Sequence, residues 1–149
     1  MKISTKGRYA VRCMLNLAIH YDKELQPISQ MSKQEDISPN YIEQLLLKLN
    51  KAGLVESIRG RSGGYRLLKK PEKITIAKII EIVEGPIILT DCVGRMTCKR
   101  EPVCTTKYLW CELSKKIEDI FVNVTLKDLC EMAKKVSGGE LTDKVIVGI

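Results

Sequence analysis

The sequence predicts a mainly α-helical chain with one small β-wing, and three observations carry that prediction. Apolar residues recur at the 3.6-residue helical period through most of the 149 positions. Strand-like composition occurs in two short runs, Leu54-Val55-Glu56-Ser57-Ile58 and Tyr65-Arg66-Leu67-Leu68. Between those runs lies Arg59-Gly60-Arg61-Ser62-Gly63-Gly64, a tight basic turn. The length suits one domain, or a small domain with an extended element attached.

Each element has a local reason. Ser4 or Thr5 can cap a first helix whose positions Ala10, Cys13, Met14, Leu17, Ala18 and Tyr21 keep the helical period, which makes Cys13 a core residue. After Pro27, Ser29 is expected to cap a short helix with Met31 inside, ending near Ile37. Ser38 then stands as N-cap with Pro39 at the first helical position; Ile42, Leu45, Leu46 and Leu49 make one stripe, and Gly53 ends the helix. The other face of this helix carries Asn40, Glu43, Gln44, Lys48 and Lys51, amides and charges suited to base edges and phosphates. Two helices joined by a short turn and followed by a basic hairpin form a winged helix-turn-helix pattern. In it the helix from Pro39 enters the major groove, and Arg59 or Arg61 on the hairpin tip reaches a minor groove. A glycine-rich basic turn can also cradle nucleotide phosphates, but no Gly-Lys-Ser/Thr step leads from a strand into a helix here.

Pro71 breaks the chain, and Ile76, Ile79, Ile80 and Val83 form a short amphipathic helix that stops at Gly85-Pro86. From about Thr105 to Phe121, Leu109, Leu113, Ile117, Ile120 and Phe121 form a stripe longer than a small domain can cover, so a homodimer through this helix is expected, with Trp110 as a packing or interface anchor. Thr125 and Asp128 give a capping-box start to a last helix through about Lys135, bearing Leu126, Leu129, Cys130 and Ala133. The expected organisation is a winged helix-turn-helix domain over 1–84, a cysteine-rich loop over 85–104, the dimerisation and C-terminal helices over 105–136, and a flexible tail over 137–149.

Charge points to the partner. The chain has 25 Lys+Arg against 18 Asp+Glu, a formal net charge of +7. The excess is clustered: residues 2–20 carry Lys2, Lys6, Arg8 and Arg12, and residues 57–70 carry Arg59, Arg61, Arg66, Lys69 and Lys70, with no acid in either stretch. Nucleic acid is the first candidate for such a surface, and the winged-helix pattern makes it double-stranded DNA. Lys6, Arg8 and Arg12 interrupt any leader-like apolar stretch, and no run approaches the ~20 residues of a membrane span, so a cytoplasmic protein without a membrane partner is expected. No His/Asp/Ser set accompanies the single histidine, His20, so an enzyme is not expected.

Thiols are kept reduced in that compartment, and the six cysteines therefore favour metal or redox chemistry over disulfides. Cys92, Cys98 and Cys104 stand at equal intervals with five residues between each pair, in a loop with Gly94 and Pro102, a spacing that no core-packing period produces. Structural zinc sites use close pairs with two to four intervening residues, which this loop lacks, so iron is favoured over zinc. Arg95, Lys99, Arg100 and Lys107 offset the charge of a thiolate-ligated centre.

Taken together, Ser4-Thr5-Lys6-Gly7-Arg8-Tyr9-Ala10-Val11, Ser38-Pro39-Asn40-Tyr41-Ile42-Glu43-Gln44-Leu45, Gly53-Leu54-Val55, Arg59-Gly60, Gly63-Gly64-Tyr65 and the three spaced cysteines resemble the Rrf family of dimeric winged-helix repressors, and within it the IscR-type iron-sulfur cluster regulators. The resemblance runs from about residue 1 to residue 135. It implies a DNA-binding transcription regulator that senses iron-sulfur cluster status, or a related redox or nitric oxide signal, and controls iron-sulfur cluster assembly genes through a palindromic operator. By resemblance, Ser38, Asn40, Tyr41, Glu43 and Gln44 belong to the recognition helix, with Glu43 tuning site choice, and Arg59, Gly60 and Arg61 belong to the wing. Cys92, Cys98 and Cys104 would hold the cluster, with 2Fe-2S expected ahead of 4Fe-4S.

The fourth ligand departs from the pattern. Where the IscR-type regulators carry a histidine three residues after the third cysteine, this chain has Lys107, and the position at which a related nitric oxide sensor carries an acid is Arg8. Cys111 shares a helix face with Cys104 and Lys107 and is an alternative thiolate; Lys107 itself ligates only as a neutral amine. Other readings are a cluster-free winged-helix repressor of the same family using its cysteines as a thiol switch, a zinc-binding protein, or an electron-transfer protein.

Overall fold

Six helices and one β-hairpin follow one another in the computed structural model, which describes residues 3–90, 93 and 98–138. Helix α1 spans Thr5–Ile19, and of its two possible caps it uses Ser4, whose hydroxyl accepts from the Lys6 N–H. Cys13 is fully buried, and burial together with the Glu35 carboxylate pushes its thiol up to about 12. Helix α2 spans Ile28–Glu35 and starts from Pro27, with Ser29 exposed inside its first turn rather than capping it. Gln26 is fixed to the wing and Pro27 follows it at the N-cap, so the helix has begun before Ser29 is reached.

Helix α3 spans Pro39–Lys51 with Ser38 at the N-cap and Pro39 at the first position. The Ser38 side chain makes no capping hydrogen bond, so its exposed hydroxyl is free to face outward. Ile42, Leu45, Leu46 and Leu49 are buried together with Ala10, Met14, Leu17 and Met31, so α1, α2 and α3 share one core. Strands β1 (Val55–Ile58) and β2 (Gly64–Leu67) pair antiparallel, with Val55 opposite Leu67 and Ile58 opposite Gly64. Their buried residues, Val55 and Leu67, join the same core from its edge.

The tip-side half of β2 has a second partner besides β1. Gln26 and Tyr65 exchange both backbone hydrogen bonds, each 2.9 Å long. Gly64 makes that approach possible, since a Cβ there would sit 2.8 Å from the Gln26 backbone. The wing glycines thus serve the protein's own packing as well as its tip.

After a 3-10 turn at Pro71–Lys73, helix α4 spans Ile76–Glu84, capped by the Thr75 hydroxyl. Ile76, Ile79, Ile80 and Val83 are buried under α1 and α3. Helix α5 spans Thr105–Asn123, and Ser114 is its buried residue. Helix α6 spans Leu126–Val136, opened by the expected capping box: the Thr125 hydroxyl accepts from the Asp128 N–H, and the Asp128 carboxylate accepts from the Thr125 N–H and hydroxyl. These bonds hold the Asp128 carboxyl below its usual range. Leu126 is fully buried in the common core, and α6 packs on α1. Reciprocal bonds from Ile76 N–H to the Val124 carbonyl and from Leu126 N–H to the Ile74 carbonyl fasten this end to the start of α4. The C-terminal helix therefore shares the core of the first 84 residues. Cys130, half-buried against that core, has its thiol pushed up by burial.

Candidate nucleic-acid interface and cysteine loop

The apolar stripe of α3 turns its other face outward, leaving Ser38, Asn40, Glu43, Gln44 and Lys48 exposed. Tyr41 is different. It is half-buried, and its ring meets that of Tyr9 edge-on at 5.9 Å and 88°, while the Arg12 guanidinium lies 5.5 Å over the Tyr9 ring. Tyr41 is thus a strut between the first turns of α1 and α3 as well as a member of the outer face. Between α3 and the hairpin lies a concavity of about 510 Å3 lined by Glu43, Leu47, Asn50, Ser57, Arg59 and Tyr65. This brings Glu43 and Arg59, far apart in sequence, to one cleft. Leu47, Asn50 and Ser57 were not singled out from the sequence, although the helical period places Leu47 and Asn50 one and two turns beyond Glu43.

Arg59, Gly60 and Arg61 are exposed at the hairpin tip. The basic patch is smaller than the residue count suggests. Arg66 lies opposite Glu56 across the hairpin and pairs with it, and Arg12 is drawn inward to Glu35. Exposed Arg8, Arg59, Arg61, Lys69 and Lys70 carry the free positive field.

Cys98 and Cys104 flank a 3-10 turn at Glu101–Val103, and Cys92 lies outside the described residues. Cys98 is exposed. Cys104 is the N-cap of α5; the Thr106 hydroxyl lies 3.3 Å from its Sγ, and that contact, with the Lys107 N–H and the Arg100 charge, pulls the thiol below its usual value. A readily formed thiolate at a helix N-terminus suits a soft metal or an oxidant. Lys107 is held otherwise. Its ammonium donates to Glu101, and this bond raises its pKa, favouring the charged form over the neutral amine that a metal would need. Cys111 is half-buried on the same helix. Among the described residues no three His, Cys, Asp or Glu side chains stand close enough to hold a metal ion, and no helix is long and apolar enough to cross a membrane.

The family model described as "Iron-dependent Transcriptional regulator", Rrf2, matches residues 3–132. This chain belongs to the Rrf2 family. Among its Rrf2-type relatives, the HTH-type transcriptional regulator IscR of Vibrio parahaemolyticus is 39% identical over 149 residues, covering 100% of this chain and 87% of the relative. IscR of Vibrio campbellii is 43% identical over 129 residues, 87% of this chain and 77% of the relative. Of solved structures, T. potens IscR superposes with a TM-score of 0.76 at 33% identity, covering 91% of this chain and 90% of that one. CymR, the global cysteine regulator of B. subtilis, gives the same TM-score and identity over 89% of this chain and 98% of its own. The chain is a transcriptional regulator of the IscR type, and the winged-helix reading of α2, α3 and the hairpin is the fold of these relatives.

Proposed function

We propose that this Rrf2 regulator binds a palindromic operator as a homodimer and changes its affinity or site choice with an iron-sulfur cluster held by Cys92, Cys98 and Cys104, controlling iron-sulfur cluster assembly genes. The observation that carries the DNA half is the cleft in which α3 presents Glu43 opposite Arg59 of the wing. Ser38, Asn40 and Gln44 address base edges from the first turns of α3, Glu43 accepts from cytosine N4, and Arg59 and Arg61 reach the adjacent groove. The cysteine half is supported by the lowered Cys104 thiol, by exposed Cys98 across a single 3-10 turn, and by the IscR-named relatives. When bound, such a cluster supplies a group whose redox state and occupancy respond to iron, oxygen and nitric oxide. Lys107, paired to Glu101, contributes positive charge beside the thiolates rather than a bond, which leaves the fourth position to Cys111 or an exchangeable small ligand.

Arg59→Ala is expected to weaken binding to an operator selected from random duplex DNA by about 1–3 kcal/mol and to lower the slope of log K against log salt by about 1, with cluster content unchanged. Titration by fluorescence anisotropy at several salt concentrations measures both; an unaltered affinity and slope would remove Arg59 from the interface.

Dimerisation is read from α5. Tyr108 is 77% exposed, Leu109 52% and Ile120 63%, with Trp110 and Leu113 beside them, an apolar face that a monomer would leave in water. A two-fold pair packed on this face would present two α3 helices to successive major-groove faces. Leu113→Asp is expected to convert the dimer to a monomer in sedimentation and to lose operator binding at the same protein concentration. A dimer that survives the charge places the interface elsewhere.

A second reading is favoured by two observations. The low thiol of Cys104, together with the likeness to Staphylococcus aureus CymR, solved in an oxidized form at a TM-score of 0.74 and 34% identity, fits a repressor that uses its cysteines as a thiol switch.

A further inference from the structure

The cysteine loop begins where α4 ends, and α4 ends on Glu84. That carboxylate does not point to solvent alone. One oxygen accepts from the Ser4 hydroxyl at 2.6 Å and from the Gly7 N–H at 2.6 Å, so the last residue of α4 sits on the N-terminal turn of α1. Ser4 in turn accepts from the Lys6 N–H. A helix N-terminus presents unpaired N–H groups and a positive dipole end, and a carboxylate satisfies both. Gly7 is required for the fit: a Cβ there would lie 2.2 Å from the Glu84 oxygen. Below the tie, α4 buries Ile76, Ile79, Ile80 and Val83 against α1, and concavities of about 130 Å3 and about 380 Å3 border it, both lined by Ile3, Ile80 and Phe121, so the hydrogen-bonded carboxylate adds a directional polar contact at the end of an apolar helix pair.

What lies on either side gives the tie a role. On the loop side, Gly85 follows at φ 96 and Pro86 comes next, so the chain bends away into the loop immediately after Glu84. On the other side, Tyr9 stands two residues beyond Gly7 and packs edge-on against Tyr41 in the first turn of α3, next to Asn40 and Glu43. From the root of the cysteine loop to the reading face of α3 there are thus two contacts, Glu84 with Ser4 and Gly7, then Tyr9 with Tyr41.

We propose that Glu84 is a positioning residue: it couples the root of the cysteine loop to the N-terminal turn of α1, and through Tyr9 and Tyr41 to the recognition helix. The inference rests on the reading of the loop as the sensor. A change at the thiolates that moves the loop root shifts α1 relative to α3, and the DNA affinity follows.

The test uses the full-length protein, reconstituted anaerobically or stripped of iron, and a duplex operator obtained by selection. Three forms are compared: wild type, Glu84→Ala and Glu84→Gln. Both substitutions remove the same charge, so any general gain in DNA affinity from losing a carboxylate is common to them, whereas only Gln keeps an acceptor for Ser4 and Gly7. The expected result is that Glu84→Ala reduces the ratio of loaded to iron-free operator affinities at least ~5-fold, with cluster absorbance per protomer unchanged, and that Glu84→Gln retains most of the ratio. Hydrogen exchange at the Gly7 amide, read in wild type alone, is expected to differ between the loaded and iron-free protein. An undiminished ratio in Glu84→Ala, or equal Gly7 protection in both states, would overturn the coupling. If wild type itself shows no ratio or takes up no cluster, the sensor reading fails, and the coupling falls with it.

Discussion

Arg12→Ala is expected to lower the unfolding free energy by about 3 kcal/mol at neutral pH, roughly two orders of magnitude in the folding equilibrium. Glu35 is the reason. Its side chain is 1% exposed, and Arg12, itself 27% exposed, donates to it from Nε at 2.9 Å and to its backbone carbonyl from the other end of the guanidinium. Asn16 supplies one further donor at 3.2 Å. Removing the arginine leaves a buried carboxylate with an amide as its main partner, the situation in which breaking a pair is far worse than replacing both members.

The effect should depend on pH in a definite sense. Burial already holds the Glu35 carboxyl above its usual value, with Asn16 and Arg12 working in the opposite direction. A carboxyl whose folded pKa is raised favours the folded state most when protonated, and that advantage is lost as pH rises from the ordinary carboxylate range through the folded pKa. Without Arg12 the folded value rises further, so the deficit against wild type should be small near pH 4.5 and reach its full size above the new folded pKa. Urea denaturation at pH 4.5 and 7.5 measures both. A deficit below 1 kcal/mol at pH 7.5, or one that does not shrink in acid, would contradict this account of the pair.

Cys104→Ala is expected to abolish the visible absorption of anaerobically reconstituted protein, while Cys13→Ala keeps it. The two thiols occupy opposite environments: Cys104 is lowered by the Thr106 hydroxyl and the Lys107 N–H at the start of α5, and Cys13 is sealed in the core with its thiol near 12. Lys107→Ala should leave the chromophore in place, since the ammonium is engaged by Glu101. Full absorption in Cys104→Ala would strike that residue from the ligand set. A wild type that stays colourless but forms a Cys104 disulfide under peroxide would decide for the thiol switch.

The helices were legible because each is written in its own segment: Ile42, Leu45, Leu46 and Leu49 need only the helical period, and the capping box of Thr125 and Asp128 needs only four consecutive residues. The outward face of α3 was legible for the same reason. What escaped the sequence is what two distant segments do to each other. Arg12 and Arg66 read as DNA-facing charge, yet Glu35 and Glu56 claim them. Ser29 reads as a cap, yet Pro27 takes that position because Gln26 is already bonded to Tyr65. Lys107 reads as a candidate ligand, and no local pattern announces its pairing with Glu101.

The Gln26 bridge has a consequence for the order in which this protein is built. A two-stranded hairpin alone is marginal in water, and this one gains its third partner from the segment between α1 and α2. Its glycine-rich tip makes it look like a local, early-forming unit. Instead, its tip-side half gains its second partner only after a stretch far upstream has docked, so the arginine-bearing tip is expected to be a late arrival in folding, assembled on helices that have already found one another.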